Sequence, residues 1–417
     1  MPDGKIRCRG NPPHSHGRLV APKERMVEVM RSSYGRLLAI LASKAGDILI
    51  AEDALSDAFE KALIHWPKDM PKNPDAWLLT VARNRLIDMQ RRDARIDFRE
   101  EVPEPEEPET QNTDIPDDRL KLMFVCAHPA IDPRMHTPLM LQTVLGLDSD
   151  VIARAFLLPP TTMAKRLVRS KRKIRDSVVA FQLPTAEDLP SRVSAVLEAI
   201  YGAFSHDWMG EGRLAEEAFF LATLLVDLMA DDAEVLGLAA VIAFSLSREQ
   251  ARIVDDQFVP LEDQNPSKWN TDMLQRATSY LNRAQGLGQL GRFQLEAAIQ
   301  SVHADRLHTG VTNWPALVQL HLGLSHIAPT IGATVSYAAA LGKAGKAAEG
   351  LMALLKIDNK VRAGFAPAQA TEAYLLSELG RSKDAVAAYE SAIALTPEPP
   401  LRRYLERKRK ELLNQSI

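Results

Sequence analysis

From Glu24 onward, apolar residues recur every three or four positions, broken by Pro and Gly, and almost no stretch alternates with the period of a strand. The pattern predicts an essentially all-α protein. In "AEDALSDAFEKALIHW", Ala51, Leu55, Ala58, Phe59, Ala62, Leu63 and Trp66 share one face of a helix, and Asp53, Asp57 and Glu60 share the other. In "KNPDAWLLTVARNRLIDMQRR", Asn73 or Asp75 stands at the cap and Pro74 where a first turn tolerates it. Leu78, Leu79, Ala82, Leu86 and Met89 form its core face. Trp77, Val81, Asn84, Asp88 and Arg91 line the opposite face, with Thr80 and Arg85 beside them. An exposed aromatic among hydrogen-bonding and basic groups suits single-stranded DNA, where base stacking is worth ~1–3 kcal/mol; a Trp packed under a loop is the plainer alternative.

Further along, "DSDVIARAFLL" is a short helix with Asp148 or Ser149 as cap and small Ala153 where a second helix must cross closely. "LPP" breaks it, and Thr161 or Thr162 caps a second helix, "TTMAKRLVRSKRKIR", whose Met163, Leu167 and Ile174 share a face. The pair reads as a helix-turn-helix. Its second helix carries seven Lys or Arg between Lys165 and Arg175 with no acid among them, so the i,i+4 ion pairs of an ordinary solvated face are missing. Lys165, Arg169 and Arg172 form an exposed stripe, flanked by Arg166 and Lys173 on one side and Lys171 and Arg175 on the other. That stripe fits the phosphates and base edges of a major groove.

Residues 190–417 read as a helical solenoid. "AQATEAYLLSELGRSKDAVAAYESAIALTPEPP" has Ala385, Tyr389, Ala392 and Pro397 at tetratricopeptide spacings, with Gly380 in the inter-helix turn. "LGKAGKAAEGLMALLKI" matches it with Gly345, Gly350, Leu354 and Ile357. Upstream helices fit the period poorly. His303, His308, His321 and His326 lack second carboxylate or cysteine partners and read as ordinary side chains, so no metal, cofactor or catalytic set is expected and the chain is not expected to be an enzyme.

The net charge of −3 over 417 residues conceals a segregation. Residues 1–96 carry +5, residues 97–118 carry −9, residues 119–180 carry +7 and the remainder −6. The acidic stretch, "DFREEVPEPEEPETQNTDIPDD", is Pro-rich and predicts a disordered linker, either a plain spacer or a mimic of nucleic acid against its basic flanks. Residues 1–23 read as a disordered tail. Cys8 and Cys126 are too few for a disulfide framework, and neither a secretory signal nor a membrane span is present, so a cytoplasmic location without membrane contact is expected.

Taken in order, "AEDALSDAFEKAL", "NPDAWLLTVARNRLIDMQRR" and the helix-turn-helix resemble the two sigma domains of a group IV, extracytoplasmic-function RNA polymerase sigma factor over roughly residues 24–178. "IPDDRLKLMFVCAHPAI", "ARAFLLPPTTMAKRLVRSKRKIR" and "FQLEAAIQSVHA" are similar to the subgroup with a tetratricopeptide-like C-terminal extension. The resemblance implies sigma domain 2 over 24–96, the linker over 97–118, sigma domain 4 over 119–180 and a regulatory domain over 190–417. It implies that Asp53, Asp57 and Glu60 meet core RNA polymerase, that Trp77, Thr80, Asn84, Arg85 and Arg91 capture the opened −10 element of promoter DNA, and that Thr161, Thr162, Lys165, Arg166, Arg169 and Arg172 read the −35 element. The subgroup commonly pairs two cysteines before its His-Pro; here Ala127 takes the second place, and Cys126 and His128 read as structural side chains.

Opening about ten base pairs costs on the order of 10 kcal/mol, at roughly 1.4 kcal/mol per stacked step, more than a few stacking contacts return. The chain therefore needs a partner that holds the bubble. Two rivals remain: a helix-turn-helix regulator acting without core polymerase, and a solenoid adaptor protein whose basic segments bind RNA or acidic partners. A protein or peptide ligand for the C-terminal domain is a further expected partner.

Overall fold

The computed structural model describes residues 22–96, 117–156, 158–176, 184–185, 187–207 and 213–415. The tail expected over 1–23 and the linker expected over 97–118 lie outside these, apart from Pro22 and Lys23, which open the first helix, and Asp117 and Asp118, which open the fourth. The protein is all-α. Among the described residues the strands are those of one small hairpin, β1 (Ile253–Val254) and β2 (Gln257–Phe258), turned by Asp255 and Asp256 at φ of 50° and 60°.

The chain forms two units, with divisions after Gln111, Leu141 and Leu183. The first holds α1 (Pro22–Ala45), α2 (Ile48–His65) and α3 (Pro74–Ile96), which pack on one another in all three pairings. Gly46, at φ +68°, ends α1 in the left-handed turn that only glycine adopts cheaply, and Asp47 caps α2 by accepting from the amides of Leu49 (2.7 Å) and Ile50 (3.3 Å). Asn73 caps α3, accepting from the Ala76 amide at 3.1 Å. Leu38, Leu41, Leu55, Leu78 and Ala82 are wholly buried between the three helices, each leucine contributing about 1.5–3 kcal/mol. Leu63 departs from the expected core face and is 51% exposed, because Ala62 and Trp66 take the buried side of the last turn.

The same unit contains the helix-turn-helix. After α4 (Asp118–Cys126) and α5 (Pro133–Thr143) come α6 (Ser149–Ala155) and α7 (Pro160–Asp176), packed through Ile152, Ala153, Met163 and Leu167, all buried. Neither Thr161 nor Thr162 caps α7. The helix starts at Pro160, where the missing amide costs nothing, and the Pro159 carbonyl accepts from the amides of Thr162 (2.9 Å) and Met163 (3.1 Å). A Cβ on Gly35, in the middle of α1, would lie 1.7 Å from the Val144 carbonyl oxygen, so the absence of a side chain is what lets the segment before α6 lie against α1.

The second unit takes α4 and most of α5, so the stretch 119–180, expected as one domain, divides its packing between the two units. Asp117 caps α4 by accepting from the Arg119 amide at 2.7 Å, and α4 packs on α8 (Leu189–His206), where the Arg192 guanidinium donates to the Phe124 carbonyl at 3.3 Å. Then follow α9 (Arg213–Leu228), α10 (Ala233–Leu246), α11 (Glu249–Arg252), α12 (Thr271–Gly286), α13 (Arg292–Ala304), α14 (Arg306–Thr309), α15 (Trp314–Ile327), α16 (Ile331–Lys343), α17 (Ala347–Leu354), α18 (Asn359–Ala363), α19 (Ala366–Glu378), α20 (Ser382–Leu395) and α21 (Pro399–Gln415). From α15 on, each long helix packs on one close to it in sequence.

Two turns here repeat atom for atom. Gly345 (φ +79°) follows α16 and Gly380 (φ +73°) follows α19; the Lys346 amide bonds the Leu341 carbonyl at 2.9 Å, and the Arg381 amide bonds Leu376 at the same distance. These are paired Schellman caps. Gly350 and Ala385 occupy the matching buried places on α17 and α20.

Candidate nucleic-acid interface

On α2, Asp53 and Glu60 are exposed, whereas Asp57 is half-buried and forms an ion pair with Arg85 of α3. On an ideal wheel Arg85 lies roughly 80–100° from Asn84 and Trp77, on the flank of α3 that meets α2, which is why it is drawn to Asp57. The predicted polymerase-facing and DNA-facing sets thus touch through this pair. Trp77 is half-buried: its ring meets Trp66 edge-on at 5.6 Å and lies 6.4 Å from His65. Thr80 is exposed with its hydroxyl donating to the Ala76 carbonyl at 2.7 Å, leaving its lone pairs as acceptors; Asn84 and Arg91 are exposed on the same helix.

Along α7, Thr161, Lys165, Arg166, Arg169 and Arg172 are exposed and Thr162 is half-buried. None of these four cations pairs with a carboxylate among the described residues, so the helix presents an uncompensated positive stripe. Two flanking cations are spent elsewhere. Arg175 pairs with Asp176 at 2.8 Å, and Lys171, expected at the edge of the exposed stripe, is buried and paired with Glu52 of α2.

That pair belongs to a small cluster that sequence reasoning missed. Glu52 also accepts from the Tyr34 hydroxyl at 3.4 Å, and burial together with the Glu52 charge pushes the Tyr34 phenol well above its ordinary pKa. Tyr34 stacks on Phe59 at 6.3 Å, which places Phe59 at the margin of the core. The available signal was the glycine in the middle of "RSSYGRLL": an interior helical glycine marks a close approach, here that of Val144.

Cys126 is buried in α4, and the His128 ring accepts from the Ala130 amide at 3.0 Å. His303 and His321 are half-buried and His308 and His326 exposed; among the described residues no group of three or more His, Cys, Asp or Glu is arranged to hold a metal, and no helix is long and apolar enough to cross a membrane.

Residues 29–96, which span nearly all of α1–α3, match the family model described as sigma-70 region 2. Residues 192–285, from the first turn of α8 to the end of α12, match a family of unknown function, DUF6596. The chain is 31% identical over 364 residues to the uncharacterized protein R00370 of Rhizobium meliloti (strain 1021), an alignment covering 83% of this chain and 86% of that protein. No solved structure matches the chain.

Proposed function

We propose that the chain, which belongs to the family of the rhizobial protein R00370 and matches sigma-70 region 2 over α1–α3, is an extracytoplasmic-function (group IV) sigma factor with a tetratricopeptide-like regulatory extension. It directs core RNA polymerase to specific promoters and assists melting, with no active site of its own. In this reading Asp53, Asp57 and Glu60 of α2 dock on the polymerase. Trp77, Thr80, Asn84, Arg85 and Arg91 of α3 hold the opened −10 strand, with Trp77 stacking a base. Thr161, Thr162, Lys165, Arg166, Arg169 and Arg172 of α7 lie on the −35 duplex. The C-terminal helices, which take a protein or peptide ligand, regulate these steps.

The observation that carries the proposal is the region 2 match falling on a three-helix body in which α2 exposes acids and α3 exposes amide and basic groups beside a half-buried aromatic. Charge reversal at Asp53 is the cleaner test of polymerase docking, because Asp57 also holds Arg85. Asp53→Lys in the full-length chain is expected to abolish binding to core polymerase and protein-dependent run-off transcription on genomic fragments, with an unchanged folded baseline by circular dichroism. Unchanged affinity overturns the docking assignment, and no protein-dependent start sites with the unsubstituted chain overturns the function. The full chain is used because α4 and most of α5 take their core from the C-terminal unit.

A further inference from the structure

In the C-terminal unit, α8, α10, α11, α13 and α16, with β2 and the start of α19, line a half-open cavity of about 600 Å³. Its walls differ in kind. Phe204, Val241, Phe258, Val335 and Phe365 supply apolar lining, and Arg248, Arg252, Ser245, Gln264 and Gln300 supply polar lining.

Arg248 is the unusual member. It is 6% exposed, donates one η nitrogen to the Gln300 side-chain oxygen, and has its other η nitrogen buried without a partner. No carboxylate pairs with it among the described residues. Gln264, also 6% exposed, donates to the Val259 carbonyl at 3.2 Å and leaves its buried side-chain oxygen unpartnered. Arg252 reaches the same cavity from one turn further on, donating to the Ser245 hydroxyl at 2.9 Å and carbonyl at 3.2 Å.

A third arginine, Arg306, stands behind, bonded to the carbonyls of Glu262 and Gln264 with its guanidinium 5.4 Å from the Trp269 ring centre. The carboxylate that lines the cavity, Glu296, is held by Arg292 at 2.9 Å. Burial, with Arg252 and Arg306 adding repulsion, pushes Arg248 down to about 9, so it still carries its charge at neutral pH. Buried cations are ordinarily paired, and among the described residues no carboxylate pairs with Arg248.

We propose that this cavity binds a small amphipathic oxyanion, a carboxylate or a phosphate monoester on an apolar body, with the head between Arg248 and Arg252 and the body against Phe204, Val335 and Phe365. A guanidinium with a free η nitrogen is the group that recognises such a head in a fork of two hydrogen bonds. The cavity lies wholly within the C-terminal unit, so the proposal holds or fails independently of what α1–α3 and α7 do.

Isothermal titration of the full-length protein with octanoate, octyl phosphate, octanol and inorganic phosphate tests it. At least one of the two octyl oxyanions is expected to bind saturably, and about tenfold or more tighter than octanol and inorganic phosphate; which one binds identifies the head. Arg248→Gln is expected to lose that binding. Gly332→Phe provides a second route that leaves the arginines alone: Gly332 lines the cavity, a Cβ there meets nothing closer than the Thr330 hydroxyl at 3.9 Å, and the larger side chain is expected to take up the space. If Arg248→Gln does not fold, the plugged variant decides. Octanol binding as tightly as both oxyanions, no binding by either oxyanion, or a folded Gly332→Phe that binds like the unsubstituted protein overturns the proposal.

Discussion

Lys171 of α7 and Glu52 of α2 form an ion pair from which water is largely excluded: the lysine side chain is 6% exposed and the glutamate 19%. The basic helix is thereby fastened to the three-helix body by one of its own cations. Removing one partner of such a pair leaves an uncompensated charge and costs about 3–5 kcal/mol, whereas replacing both by apolar groups of similar size is close to neutral. Lys171→Met is therefore expected to loosen α7 by roughly 3 kcal/mol, the low end because Glu52 keeps some contact with water. The double variant Glu52→Leu, Lys171→Met should recover most of the loss. Amide hydrogen exchange along α6 and α7 measures both.

Gly35→Ala sets two effects against each other. Helix propensity alone favours alanine by about 1 kcal/mol. The Val144 carbonyl oxygen, 1.7 Å from the new Cβ, opposes it, and because backbone cannot swing aside as a side chain can, the clash wins. The variant is expected to be less stable, with faster exchange at Val144 and Leu145 and α1 itself still helical. A gain in melting temperature would show that the segment before α6 does not lie against α1.

The exposed stripe on α7 makes a prediction about salt. Each phosphate contact contributes about −0.9 to the slope of log affinity against log salt. Arg169→Ala and Arg172→Ala should each weaken binding to a duplex promoter fragment and flatten the slope by about 0.9. Binding titrations between 50 and 200 mM salt, roughly the range over which such slopes are read, supply the measurement.

Acid should weaken the C-terminal unit. Burial, with repulsion from Arg248, His321 and Arg306, pushes His303 down to about 3, and burial pushes His321 down to about 4. Both rings stay neutral in the folded protein at pH values where the unfolded chain, with an ordinary histidine pKa near 6.5, takes up protons. The stabilisation is present above about pH 6.5 and falls as pH drops towards the folded values, by about 1.2 kcal/mol for each ring between pH 6 and 5. Glu296, raised by burial, acts in the opposite direction near its own unfolded value. Denaturant titrations at pH 7, 6 and 5 should show the loss, and His303→Gln should flatten it.

Much of the fold was legible because it is local. The helical period placed Met163, Leu167 and Ile174 on the buried side of α7 and Leu78, Ala82 and Leu86 on that of α3. Gly345 and Gly380 were readable as turn glycines because a left-handed residue after a helix is a one-residue requirement. What escaped depends on partners distant in sequence. A wheel puts Lys171 on the flank between Leu167 and the exposed stripe, and only Glu52, 119 positions away, decides which way it turns. The pairing of Arg85 with Asp57 was not readable, because nothing in α3 says that Asp57 lies beside it. Leu63 read as core because the pattern records spacing and not where neighbouring helices end. The arginines of "SREQARIV" carried no signal at all, since a cavity is a property of several elements together.

The matched caps at Gly345 and Gly380 have an evolutionary corollary. Each turn is closed by its own carbonyls and its own glycine, so the angle between the two helices of a pair is set within that pair. A duplication of such a pair would carry its own turn with it, closed without help from its neighbours.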